Sequence, residues 1–248
     1  MENRPWFKEW FNSPYYHHLY FKRDEKEAAT CIDKLINHLQ PKPGAFMLDV
    51  ACGKGRHAIH MADNGFDVTG IDLSEDSIQE ALLSQTKNLH FILQDMRLPF
   101  RTNYFDFAFN FFTSFGYFLT RREHNDAIKT IAQSLKNGGC FMLDYLNVCF
   151  AEEDLIPESN LSIDSVNYSI SKWFDETSFY KEIIVEDKAL GVTETYQERV
   201  AKFSLQDFTE MFAAQGLQIE EVYGDYDFAK YDVKKSPRLI MFAKKMSV

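Results

Sequence analysis

The sequence has no run of the roughly 18 to 20 apolar residues that a membrane helix needs, and its opening, MENRPWFKEW, is too charged and too aromatic for a secretory signal. Both absences lead to the expectation of a cytoplasmic protein with no membrane partner. Cysteine is scarce: Cys31, Cys52, Cys140 and Cys149 form no C-x-x-C pair and fall in stretches that read as helix, strand end or strand. Thiols so placed behave as small apolar side chains, which argues against a disulfide framework or a zinc centre. Positive charge is also short, with 27 Lys and Arg against 37 Asp and Glu and a net charge of -10. Such a field repels a polyanion, so nucleic acid is not an expected partner. No internal repeat, low-complexity tract or Pro/Gly/Ser linker breaks the 248 residues, a length that suits one large domain with an ample core.

What remains is the order of apolar runs. Asp24 to Leu39 reads as a helix capped by Asp24, with Ala28, Cys31, Ile32, Leu35, Ile36 and Leu39 on one face and Pro41 and Pro43 as the stop. Beyond it the pattern predicts strand 45–50, helix 55–64, strand 66–71, helix 75–84, strands 89–94 and 105–111, helix 122–136 and strand 140–146. Buried strands joined by helical crossovers imply an α/β fold with a doubly wound, mostly parallel sheet. From Asn147 to Lys202 short runs rich in Ile, Val, Thr, Tyr and Phe, broken at Asp175-Glu176 and Leu190-Gly191, read as antiparallel hairpins. A helix over 205–214, a strand over 217–223 and a last strand near 238–244 then resume the alternation. The expected organisation is an N-terminal helical lid or anchor over 1–40, a core domain over 41–146 and 203–248, and a small antiparallel β insertion over 147–202. Leaving from the carboxyl end of a strand, that insertion is expected to cover the ligand crevice and shape an acceptor pocket.

The chemistry is concentrated in LDVACGKGRHA, where the first core strand turns into a helix at Gly53 and Gly55. Glycine there lets backbone approach a ligand, and the helix start offers free N–H groups to an anion. Gly53-x-Gly55-x-x-Ala58 with Asp72 nineteen residues on also satisfies the dinucleotide fingerprint, so spacing alone leaves a nicotinamide cofactor open. Asp49 facing the loop favours a cationic ligand over a pyrophosphate, and Asp95, ending the third strand, can accept from the amino group of adenine. Each residue also has a plainer role: the glycines as a tight turn, Asp72 as a helix cap, and the aromatic run FFTSFGYF as mixed core and pocket wall with two of its eight residues touching a cofactor or substrate. His57 and His60 share a helix face without a third metal ligand in view, and His17 and His18 read as surface or capping residues.

LDVACGKGRH, GIDLS, QDMRLPF and FDFAFNFFTSFGYF, in this order and spacing, resemble the successive motifs of class I S-adenosylmethionine-dependent methyltransferases. The closest resemblance is to the small-molecule subgroup with a β insertion after the fifth strand, which includes sugar-amine N-methyltransferases. It implies a Rossmann-like sheet with an antiparallel last strand and S-adenosyl-L-methionine as cofactor. Carried onto this sequence, it places Asp49, Ala51, Gly53 and Gly55 around the methionine part and Asp72, followed by Leu73, at the ribose. Asp95 and the Met96 backbone would read adenine, Asn110 and Phe111 would lie beside the methionine, and Tyr20 would close over its carboxylate. Ala51 stands where the family often has glycine, which should only narrow the loop. The implied reaction is in-line methyl transfer to a small-molecule acceptor, amine favoured over hydroxyl because no general base stands out. A non-catalytic cofactor-binding regulator and a nicotinamide-dependent oxidoreductase are the alternatives. Oligomeric state is not legible.

Overall fold

The computed structural model describes residues 6–20 and 25–247; Asp24, the expected cap, lies outside the described residues. Helices α1 (Trp6–Phe11), α2 (Pro14–Leu19) and α3 (Glu25–Leu39) precede the sheet. In α3 the apolar positions Ala28, Cys31, Ile32 and Leu35 are buried, as their spacing requires. The core then runs β1 (Phe46–Val50), α4 (Arg56–Asp63), β2 (Asp67–Asp72), α5 (Glu75–Ala81), β3 (Leu89–Leu93), β4 (Phe105–Asn110), α6 (Arg121–Ser134) and β5 (Leu135–Leu146). After the intervening segment come α8 (Leu205–Ala213), β10 (Leu217–Tyr223) and β11 (Arg238–Lys245).

The seven strands are ordered β10-β11-β5-β4-β1-β2-β3. β1 to β5 pair in parallel, whereas β11 runs antiparallel to both β5 and β10. The expected doubly wound sheet with an antiparallel last strand is therefore present. Its register sets Val50 beside Ile71, Asp72 beside Leu93 and Asn110 beside Leu143, so the loops after β1, β2, β3 and β4 all leave at one edge. Apolar clusters fill both faces of the sheet, one around Phe105, Phe141 and Phe208 and the other around Met47, Phe91 and Phe109. No helix among the described residues is long and apolar enough to cross a membrane.

Two boundaries differ from the sequence reading by more than three residues. β5 begins at Leu135, five residues early, because Leu135 already pairs with Phe105 across a register shift. The hairpins do not start at Asn147: helix α7 (Val148–Glu153) comes first, and Cys149 sits exposed on it instead of in a strand. The hairpins themselves, β6 (Glu158–Ile163), β7 (Val166–Phe174), β8 (Ser178–Asp187) and β9 (Val192–Ala201), form a separate four-stranded antiparallel sheet. The face bearing Val166, Tyr168, Ile183 and Val185 is covered by Trp10 and Tyr15 of the N-terminal helices. Trp10 lies 4.7 Å from Tyr196, centroid to centroid.

At the head of α4, Gly55 takes φ 86°, and a Cβ there would meet the Phe91 ring at 2.4 Å. Left-handed strain and the clash act together, so Gly55→Ala should cost about 2–4 kcal/mol of stability, measured by urea denaturation.

Candidate functional site

Between β1 and α4 the chain turns through left-handed backbone at Ala51 (φ 60°), Gly53 (φ 56°) and Gly55. For Ala51 this is more than a narrowing of the loop: a side chain is held in a conformation that L residues avoid, a strain typical of sites that must present backbone to a ligand. Asp72, at the end of β2, fixes the turn. One carboxylate oxygen accepts from the Gly53 amide at 2.8 Å, the other from the Ser74 amide at 2.8 Å. Ser74, not Asp72, is the side-chain cap of α5. Burial raises the Asp72 carboxyl, while the amides of Ser74 and Gly53 pull the other way.

Asp72 lines a partly open cavity of about 170 Å³, together with Ala51, Gly53, Leu73, Asp95 and Met96. Its opposite wall is Phe11, Tyr16 and His17 from the N-terminal helices, and the loop after β4 adds Phe112, Ser114, Tyr117 and Phe118. A wider cleft of about 840 Å³ adjoins it, sharing Tyr16, His17, Ala51, Gly53, Phe112 and Ser114, and extending past Tyr20, His57 and Phe111. Burial and the nearby Lys54 lower the His17 pKa, which keeps its imidazole neutral. His57 stacks on Phe111 at 4.4 Å, and burial with Arg56 lowers its pKa to about 3. His60 instead pairs with Asp33, and no metal-holding group of three residues occurs among the described residues.

The structure thus brings Ala51, Gly53, Asp72, Leu73, Asp95 and Met96 to one cavity and places Tyr20 and Phe111 at the adjoining cleft. Asp95 lies just beyond β3 and is held by Arg97 at 2.6 Å, which also pairs with Glu123 at 2.6 Å. Gly55 caps α4 from beneath and lines neither space. Asn110, buried, donates to the Val50 carbonyl at 2.9 Å and also lines neither. Asp49 is only 1% exposed and lies under the loop, where the Ala58 amide bonds to its carboxylate and Oδ2 has no partner. Burial, and then the charge of Asp72, push its carboxyl up to about 8. Among the described residues lining the two spaces none comes from 147–202, the segment expected to shape the acceptor pocket.

Sequence reasoning missed a second anchor. Asp144, fully buried in β5, accepts from Arg238 Nε at 2.7 Å, the Phe112 amide at 2.7 Å and the Tyr226 hydroxyl at 2.6 Å. Phe112 and Thr113 sit beside it at φ 54° and 60°, both left-handed, and Phe112 walls both spaces. The signal was present as a lone acid inside the apolar strand CFMLDYL. Five of the eight residues of FFTSFGYF line the two spaces, and Phe115 is buried in the core.

Residues 47–139 match the methyltransferase-domain family profile. Over 205 residues the chain is 27% identical to YqeM, a methyltransferase by name, of Bacillus subtilis (strain 168), covering 78% of this chain and 81% of that one. It is 26% identical over 211 residues to the dTDP-3-amino-3,4,6-trideoxy-alpha-D-glucopyranose N,N-dimethyltransferase of Streptomyces venezuelae, covering 82% and 87% of the two chains. Matched relatives also include the tRNA U34 carboxymethyltransferase of Proteus mirabilis (strain HI4320), 28% identical over 73% of this chain and 57% of that one. Among solved structures, an S-adenosylmethionine-dependent methyltransferase from Clostridium acetobutylicum ATCC 824 shares the fold with a TM-score of 0.77, at 20% identity over 94% and 97% of the chains.

Two outcomes follow from the buried acids. Asp144→Ala strands the Arg238 guanidinium and should cost about 3–5 kcal/mol in denaturant unfolding. Asp49 favours its neutral form in the fold, so its contribution is present below about pH 4 and is lost as pH rises toward about 8. Asp49→Asn removes that dependence. The stability of the variant relative to wild type should therefore grow steadily between pH 5 and 8, and a flat difference would show that Asp49 is ionised throughout.

Proposed function

We propose that the chain, whose residues 47–139 match the methyltransferase-domain family and whose relatives include S-adenosylmethionine-dependent methyltransferases, uses S-adenosylmethionine to methylate an amine nitrogen of a small, freely diffusing acceptor. The observation that carries the cofactor placement is the Asp72 bridge, which locks the glycine loop beside a cavity also bounded by Asp95 and Met96. The donor set fits the group. Carboxylates at Asp72 and Asp95 match a ribose diol and an adenine amino group, and the exposed loop backbone suits the methionine end. Asp49, too deep to touch a ligand, supports the loop from below through the Ala58 amide. Bound there, S-adenosylmethionine supplies a methyl group on a sulfonium, a strong electrophile that needs no further activation.

The protein's own part is orientation and exclusion of water. Phe11, Tyr16, Phe112 and Tyr117 turn aromatic surface toward the cavity, a lining whose ring quadrupoles favour a cationic ligand. An amine acceptor must arrive unprotonated. His17, lining both spaces and held neutral, is placed to take the proton that the alkylated nitrogen gives up. The amine assignment draws further support from the N,N-dimethyltransferase relatives. Acceptor size rests on charge: the net -10 opposes RNA, and Arg121 and Arg238 are already paired with Asp207 and Asp144.

Transfer of tritiated methyl should label a small-molecule fraction, with a rate rising through the acceptor's own pKa. Label that follows purified tRNA in high salt would overturn the acceptor assignment. Asp72→Ala should weaken S-adenosylhomocysteine binding by about 2–4 kcal/mol in calorimetry. Wild-type affinity in that variant would reduce Asp72 to a loop tie.

A further inference from the structure

The N-terminal segment has two working faces. One presents Phe11, Tyr16 and His17 to the smaller cavity and Tyr20 to the cleft. The other is fastened to the four-stranded sheet by a set of side-chain hydrogen bonds. Ser13 donates to the Tyr196 hydroxyl at 3.0 Å, Tyr15 to Asp187 at 3.2 Å, and a ring nitrogen of His18 lies 2.7 Å from the Tyr168 hydroxyl.

These bonds converge most closely on Glu198 of β9. Its Oε1 accepts from the Trp10 indole at 2.6 Å and from the Tyr20 hydroxyl at 3.2 Å. Lys181, directly opposite Glu198 in the β8–β9 register, lies 3.4 Å from the same oxygen, bonds the Tyr20 hydroxyl and sits 4.8 Å from the centre of its ring. Both ion-pair side chains are about six-sevenths shielded from solvent, 15% and 13% exposed. A charge-assisted acceptor in such a setting holds its donors more firmly than a neutral one in water. Trp10 is fully buried and Tyr20 closes one side of the cleft, so a single carboxylate fixes both ends of the segment.

We propose that Glu198 is a positioning residue for the cofactor site, and that the four-stranded sheet tunes cofactor binding by setting the N-terminal wall without touching the ligand. This rests on the cofactor placement given above. Coupling of this kind is reciprocal: if the sheet orders the wall that grips the ligand, the ligand must in turn steady the sheet.

The test is hydrogen exchange on the intact protein with and without saturating S-adenosylhomocysteine, combined with calorimetry. Ligand should slow exchange at amides 181–183 and 196–198 by at least about fivefold in wild type. Glu198→Ala should abolish that protection and weaken affinity about tenfold. Glu198→Gln, which still accepts from Trp10 and Tyr20, should recover most of both, a rescue that loss of fold would not permit. Should the alanine variant fail to fold, Trp10→Phe removes one donor alone and should reduce the protection partially, and the wild-type comparison needs no variant. Tight binding without slowed exchange in the sheet, or wild-type affinity in Glu198→Ala, overturns this inference alone. If S-adenosylhomocysteine fails to bind wild type, the cofactor placement falls as well.

Discussion

With none of its surface open to solvent, the Asp144 carboxylate accepts at once from a guanidinium, a backbone amide and a phenol. A carboxyl group so deep is tolerable because three donors are turned toward it. The consequence runs outward. Arg238 is drawn to the head of β11, its Nη2 donates to the Thr113 hydroxyl, and the loop after β4 is pinned in a left-handed turn no side chain adopts by preference. Phe112, which walls both spaces and stacks with His57, has its place because that turn is held.

Asp72 performs the same service on the other side of the cavity with a different chemistry. It engages only backbone amides, one from the loop it stabilises and one from the helix that follows its own strand. The two acids flank the crevice at the ends of β2 and β5, and between them the loops from four parallel strands are held apart at fixed spacing. The loop conformations are thus set by local charge, which lets the surface that meets the ligand vary in shape without loss of its foundation.

The parallel core was readable in advance because its strands are short apolar runs, buried on both faces, and its helices carry one apolar stripe. Boundaries slipped where pairing outran pattern: Leu135 reads as helix until Phe105 is seen opposite it, and Val148–Glu153 reads as strand although it folds as a turn and a half of helix. Of the anticipated site residues, Ala51, Gly53, Asp72, Leu73, Asp95 and Met96 line one cavity, because the loops after β1, β2 and β3 leave the sheet at one edge, whereas Gly55 lines neither space. Asp49 and Asn110 did not reach a cavity, because spacing along a strand cannot tell which side chain points beneath a loop and which points over it. Phe11, Tyr16 and His17 were illegible as wall residues for a stronger reason. The residues beside them that hold the segment in place, Trp10, Ser13 and Tyr15, bond to a sheet far away in sequence, and an aromatic-rich segment without periodicity gives no hint of where it docks.

The Trp10–Glu198 bond spans 188 positions of chain. Closing so long a loop costs entropy that short-range contacts must first offset, and such pairings form late in folding. During synthesis Phe11, Tyr16 and His17 emerge well before β9, yet the segment that carries them has no docking surface until β9 has emerged and paired. A nascent chain would therefore hold an exposed aromatic segment for most of its translation. The 6–20 stretch is thereby the part of the molecule most open to chaperone capture or mispairing before its sheet exists.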